Sequence, residues 1–200
     1  MDTTSLDSKA RKIVFLASLG GALEFYDFII YVIFAPVIST VFFPKTDTFA
    51  SLMSVYAVFA IGYLIRPLGG IIFSHFGDKY GRKRTFICSV AMMAIPTFLI
   101  GLLPTYAQIG LGASILLILM RILQGLSIGG EIPGAITFTC EHVGERFRGV
   151  ACGIIFCFLN LGIFIGAALS LVLSEILDSA QLMSFGWRIP FIIGGLLGVF

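Results

Sequence analysis

Apolar residues run along this chain in six long blocks, 13–36, 51–75, 85–103, 109–139, 149–173 and 189 onward, with short polar segments between them. A helix rises about 1.5 Å per residue and needs about 20 residues to cross the hydrocarbon core of a bilayer. The first five blocks are therefore predicted to be membrane-spanning helices. The fourth is longer than a span requires, so it is expected to tilt, to kink at Pro133, or to protrude. The sixth has only 12 residues before Phe200, too few to cross, and the chain is expected to be a fragment or a natural truncation.

Composition agrees with that pattern. Hydrophobic residues make up 58% of the chain and charged residues 12%, against about a quarter charged in a soluble domain, and the mean hydropathy is +1.04. Lys9, Arg11 and Lys12 ahead of an apolar run look superficially like a secretory signal. The run continues past Glu24 and Asp27 to Pro36 with no small-residue cleavage site, so a first membrane helix is the reading. Cys88, Cys140, Cys152 and Cys157 lie in or beside apolar segments without ligand spacing and are expected to be small buried hydrophobes.

Charge then orients the chain. The stretch Gly77–Arg84 (GDKYGRKR) packs Asp78, Lys79, Arg82, Lys83 and Arg84 into a short predicted loop between two spans. With the N-terminus inside, the cytoplasmic segments hold Lys9, Arg11, Lys12, Lys79, Arg82, Lys83, Arg84, Arg146 and Arg148, and the opposite side only Lys45 and Arg188. The lysine and arginine bias predicts that orientation. The segment 104–108 is short and uncharged, as an outer hairpin can be.

Ionisable groups inside the hydrocarbon are costly and mark function by default. Here they are Glu24 and Asp27 in the first span, Arg66 in the second, and Arg121 and Glu131 in the fourth. Gly20, Glu24, Asp27 and Tyr31 share one helical stripe; Arg121, Gln124, Ile128 and Glu131 share another. Glu24, Asp27 and Arg121 all fall near mid-membrane, which predicts an arginine–carboxylate pair across helices one and four. Such a pair is either a permanent fixture of helix register or a switch, because a carboxylate that loses its arginine takes up a proton. Glu131 is either a second relay or a contact near the cytoplasmic side. Arg66 is read either as functional or as snorkelling to the inner surface. Asn160 either faces a cavity or bonds a neighbouring helix.

The small-xxx-small spacings Gly125/Gly129, Gly162/Gly166 and Gly194/Gly198 are expected to let helices approach closely. Gly20-Gly21 before Glu24 and Gly129-Gly130 before Glu131 form a weak internal echo, as a 3+3 inverted repeat would give.

In these motifs the chain resembles the N-terminal half of a major facilitator superfamily transporter, over nearly all its residues. The loop after span two is similar to the superfamily's G-x-x-x-D-[RK]-x-G-R-[RK] signature through Asp78, Lys79, Gly81, Arg82 and Lys83, with Ser74 in place of the leading glycine. Glu24-Phe25-Tyr26-Asp27, Arg66-Pro67-Leu68-Gly69-Gly70, Arg121-Ile122-Leu123-Gln124-Gly125 with Gly129-Gly130-Glu131, and Trp187-Arg188-Ile189-Pro190-Phe191 resemble the metabolite:proton symporter branch. The resemblance implies an all-α membrane protein, residues 1–200 forming an N-terminal six-helix bundle with its sixth helix truncated and its C-terminal partner half missing. It also implies that Asp27 with Arg121 couples protons, with Glu24 a neighbouring candidate; by position, Gln124, Glu131 and Asn160 are further candidates for the proton or substrate path. Glu141 would pair with Arg82 or Lys83 as a cytoplasmic latch, and Asp78 would contact the second half. No proline lies between Asn160 and Ser170, which favours a symporter or uniporter over an antiporter.

The expected function is proton-coupled symport of a small organic acid or zwitterion across the inner membrane of a bacterium, with no cofactor. A half alone is expected not to transport. A facilitative uniporter and a structural or regulatory half-protein are the alternatives. An enzyme would need a nucleophile–base or metal constellation, and His75 and His142 lack ligand spacing. Nucleic-acid binding by Lys79–Arg84 has no soluble domain to support it.

Overall fold

The computed structural model describes residues 8–44 and 47–198; within its helices the side chains of residues 8–13, 82–83, 130–131, 138 and 142 are outside the described set. Helices account for nearly all of the described residues. The first span is α1 (Ser8–Ile33), continued by α2 (Ala35–Phe42). Pro36 in the first turn of α2 cannot donate to the preceding turn, so the helix breaks locally at Phe34 while bonds from Phe34 N to Ile30 O and from Ile38 N to Phe34 O carry the chain across. Asp47, whose carboxylate accepts from the amides of Phe49 and Ala50, caps α3 (Thr48–Tyr80).

The basic stretch departs from the expected loop. The second span runs helically to Tyr80, and α4 (Arg82–Leu102) begins two residues later. Gly81 alone separates them, at φ 93°, a conformation that a side chain would strain. Nothing between Gly77 and Tyr80 breaks a helix, so the turn is confined to the one residue that tolerates it. The outer hairpin is likewise more ordered than expected: α5 (Tyr106–Ile109) is one turn, with Gln108 reaching back to the amide of Thr105 at 2.9 Å. Then come α6 (Leu111–His142) and α7 (Arg148–Ile176), joined by a single 3₁₀ turn at Glu145–Phe147.

The sixth segment starts earlier than residue 189. A short α8 (Ser179–Gln181) and a π turn (Leu182–Gly186) precede α9 (Arg188–Leu197), with a bend of 42° between the two stretches. Arg188 anchors the bend by donating to the Gly101 carbonyl at the end of α4 at 2.8 Å, while its guanidinium lies 4.6 Å from the Trp187 ring centroid. Among the described residues, five helices are long and apolar enough to cross a membrane, and six if the bent pair counts as one span.

Packing follows the glycines. The most extensive helix contacts join α3 to α6 and α1 to α7. Exchanging the first three spans for the last three maps one pair onto the other, as a 3+3 inverted repeat requires. The seams are built alike: a Cβ on Gly125 would collide with the backbone of Gly62, and one on Gly162 with the backbone of Ala22. At Gly129 the obstacle is the backbone of Arg66 and Gly70, and at Gly166 the side chain of Ile29. Gly125, Gly129 and Gly162 bring main chains within contact distance, and no larger residue fits there without parting the helices.

The core is thickest at the end away from the basic turn. There Trp187 and Phe191 of the last segment close on Phe42 of α2, with Phe42–Trp187 ring centroids 5.3 Å apart, edge to face. Ser114 of α6 ties in the same end by donating to the Phe42 carbonyl at 2.5 Å. The cysteines are less buried than expected: Cys88 and Cys157 are exposed on the helix surfaces, and Cys140 and Cys152 are half-buried at the α6–α7 turn. In a membrane helix an apolar thiol gains nothing from burial that lipid does not also supply.

Candidate functional site

Two arginine–carboxylate pairs lie midway along the bundle, where α1, α3, α4 and α6 meet. Asp27, one turn after Glu24 on α1, receives Arg121 of α6 at 2.6 Å between Nη1 and Oδ2. Its other oxygen, Oδ1, accepts from Gln124 Nε2 at 3.0 Å and lies 3.1 Å from the Thr97 hydroxyl of α4. Gln124 also donates to Thr97 at 2.7 Å, and Thr97 lies 2.9 Å from the Met93 carbonyl of its own helix. With one proton, the threonine hydroxyl serves Asp27 or Met93 in turn. Tyr31 stacks on the guanidinium of Arg121, 3.7 Å from the ring centroid, and is held in place by its hydroxyl bond to the Val55 carbonyl at 3.2 Å. All of these groups are buried.

The second pair is looser. Arg66 of α3 lies 3.2 Å from Glu24 through Nη1 and Oε1, and its guanidinium sits 3.8 Å from the centre of the Tyr63 ring. Glu24 is 1% exposed, yet neither of its oxygens accepts a hydrogen bond of good geometry; the Arg66 side chain is 26% exposed. Both pairs line one cleft between α1, α3 and α6, whose wall is completed by Phe28, Phe59 and Tyr63. Those rings form a contiguous cluster, with centroids 5.2 Å (Phe28–Phe59), 5.1 Å (Phe59–Tyr63) and 6.1 Å (Phe28–Tyr63) apart.

The structure thus brings together Glu24, Asp27, Arg121 and Gln124 of the expected set. Arg66 does not snorkel away; it turns back to Glu24 because an aromatic face and a buried carboxylate lie on that side. The structure places Asn160 on an exposed face, where it donates to the Phe156 carbonyl of its own helix at 2.8 Å. The side chain of Glu131 lies outside the described residues.

Thr97 and the Arg66–Glu24 partnership were missed from sequence. Thr97 could have been noticed as a hydroxyl beside Pro96 inside an apolar span. Arg66 lies between Gly62 and Gly69, the glycines that let α3 touch α6, and that spacing places it at the seam.

At the basic end, Asp78 and Lys79 close α3, both exposed, with the Lys79 ammonium 5.4 Å from the Tyr80 ring centroid. Asp78 and Ser74 line a cleft of about 450 Å³ between α3, α4 and α6. The expected Glu141 latch to Arg82 or Lys83 involves side chains outside the described residues. At the neighbouring turn, Arg148 donates to the Cys140 carbonyl at 3.0 Å, satisfying the frayed end of α6.

Comparison with known proteins gives a consistent outcome. The family described as sugar (and other) transporter matches residues 13–200. Over 193 residues, 96% of this chain and 39% of the relative, it is 41% identical to the proline/betaine transporter of Salmonella typhimurium strain LT2. It is 38% identical over 197 residues to the glycine betaine/proline/ectoine/pipecolic acid transporter OusA of Dickeya dadantii, covering 97% of this chain and 39% of that protein. A partially occluded inward-open structure of the xylose transporter XylE from E. coli superposes with a TM-score of 0.84 at 18% identity, covering 96% of this chain and 47% of that one. The chain therefore spans about two fifths of the length of the curated relatives it matches.

Proposed function

The chain belongs to the sugar (and other) transporter family, with the N-terminal six-helix bundle of the major facilitator superfamily fold, and on that footing we propose that it forms one half of a proton-coupled symporter for a small zwitterion. The relatives carry proline, betaine and ectoine in their names, solutes that combine a carboxylate with a cationic nitrogen, and that favours a zwitterion over a simple organic acid. A second six-helix half would supply the other wall of the substrate path, and the two would rock about it.

The observation that carries the coupling is the buried Asp27–Arg121 pair between α1 and α6. A carboxylate held by arginine stays charged; parted from it in a dry site, the carboxylate takes up a proton. Helix movement and protonation are then one event. Gln124 and Thr97 orient Asp27 for that exchange. The basic turn at Lys79–Arg84 faces the cytoplasm of a bacterial inner membrane in this reading, with the N-terminus on the same side. Asp78, Lys79, Gly81, Arg82, Lys83 and Glu141 form the cytoplasmic gate.

Proteoliposomes of the transporter assembled with its C-terminal half provide the test. An inward proton gradient should drive accumulation of proline or glycine betaine. Asp27→Asn should abolish accumulation while leaving solute exchange. Undiminished accumulation in that variant would remove Asp27 from the coupling.

A further inference from the structure

We infer that Cys140 and Cys152 form a redox site, a dithiol that a peroxide closes to a disulfide, tying the end of α6 to the first turns of α7. The two sulfurs lie 3.9 Å apart across the turn that joins those helices, and both side chains are half-buried. A disulfide bond is about 2.05 Å long, so each sulfur has to travel only about 1 Å, a distance that side-chain rotation supplies. Cys88 and Cys157 are exposed on helix surfaces elsewhere, Cys88 in α4 and Cys157 further along α7.

The turn itself holds the two thiols in register. The Phe147 amide donates to the Gly144 carbonyl at 2.8 Å, and the Val143 amide to the Thr139 carbonyl at 3.0 Å. Arg148 reaches back over the turn to the carbonyl of Cys140 itself, at 3.0 Å. Beneath it, Val143 and Ala151, close in sequence to the two cysteines, pack with Val14 of α1. Both sides of the hairpin are thus pinned to a third helix. Depth adds access: one apolar span ends at Glu141 and the next begins at Glu145. The pair therefore lies near the edge of the hydrocarbon, where water and a small polar oxidant can reach a half-buried thiol.

Hydrogen peroxide supplies the oxidising equivalents. One thiol gives up its proton and its thiolate attacks a peroxide oxygen; an S–O bond forms, the O–O bond breaks, and hydroxide leaves as water with that proton. The second thiolate attacks the sulfenic sulfur; the S–S bond forms, the S–O bond breaks, and hydroxide again leaves as water. Two thiols lose two electrons and two protons, and one peroxide becomes two waters. A dithiol reductant reverses the step by exchange. On the proposed orientation this end meets the cytoplasm, where disulfides are transient, so the resting state is the dithiol. Closure reaches beyond the turn. α6 packs chiefly on α3 and α7 on α1, so the bond links one tightly packed helix pair to the other at this end. It also fixes the backbone beside Glu141, which the carrier reading assigns to the cytoplasmic gate, and on that reading oxidation slows transport.

The test treats the assembled transporter in proteoliposomes with hydrogen peroxide, alkylates the remaining thiols and digests with trypsin. Cleavage after Arg121, Arg146, Arg148 and Arg188 puts the two cysteines on separate peptides, 122–146 and 149–188. Peroxide should join these peptides and dithiothreitol should part them, in the wild type and equally with Cys88→Ala and Cys157→Ala in place. Cys140→Ser or Cys152→Ser should abolish the link and leave a sulfenic acid that a cyclic 1,3-dione traps. Uptake of labelled proline or glycine betaine should fall severalfold on oxidation, recover on reduction, and ignore peroxide in Cys140→Ser. Absence of the linked peptides from folded, peroxide-treated wild type overturns the site. A complete link with undiminished uptake overturns the restraint on the gate. A reduced protein that takes up neither solute overturns the carrier reading, and the peptide link still decides the redox site by itself.

Discussion

Two arginine–carboxylate pairs share α1 within one turn of each other, yet they are built differently. Around Asp27 both carboxylate oxygens are satisfied, by Arg121 on one side and by Gln124 and Thr97 on the other, and a tyrosine ring covers the guanidinium. Around Glu24 there is a single ion pair to an arginine that reaches the cleft mouth. The difference lies in what surrounds each pair. Asp27 faces α4 and α6, where the helices carry polar side chains at matching height; Glu24 faces Arg66 of α3 across a cleft walled by Phe28, Phe59 and Tyr63. A buried carboxylate bonded at both oxygens is held more firmly than one with a lone ion pair.

That contrast breaks most visibly if Asp27 is removed. Asp27→Ala leaves Arg121 buried without its counter-ion and should cost about 3–5 kcal/mol in detergent unfolding. Thr97→Val removes one donor to Asp27 and leaves the Gln124 amide short of an acceptor, so a smaller loss of about 1–3 kcal/mol is expected in the same assay. Glu24→Ala should cost about 1 kcal/mol or less, because Arg66 is already a quarter exposed and can turn outward. Should Glu24→Ala prove as damaging as Asp27→Ala, the two pairs are alike and the comparison fails. Tyr31→Phe keeps the ring on Arg121 and deletes only the bond to Val55, for about 0.5–1 kcal/mol. Asn160→Leu should stay within about 0.5 kcal/mol, since that amide serves its own helix on an exposed face.

Much of this was legible in the order of residues. The apolar blocks announced the spans, because a helix in lipid must be long enough and oily enough to cross. Gly125, Gly129 and Gly162 announced close crossings, and those positions do meet neighbouring backbones. Asp27 and Arg121 could be brought to one depth by counting residues from the span ends. The basic turn was harder: charge suggested a loop, but lysine, arginine and tyrosine are helix-compatible, and only Gly81 turns the chain.

Depth is one coordinate, and a site needs three. Counting along α3 places Arg66 15 residues before Gly81, and nothing in that count says which way it points. The rotation of α3 is set by Gly62 and Gly69 seating against α6, and that rotation turns Arg66 towards α1. Thr97 enters the Asp27 cluster for the same reason, through the seating of α4 against α6.

The sequence alone determined that this chain is a bundle of membrane helices with charges in its middle, since hydrophobic length and the cost of burying charge act locally along the chain. Which charges pair, and how many partners each carboxylate finds, were decided only by the tertiary structure, because those outcomes depend on how helices rotate and approach one another.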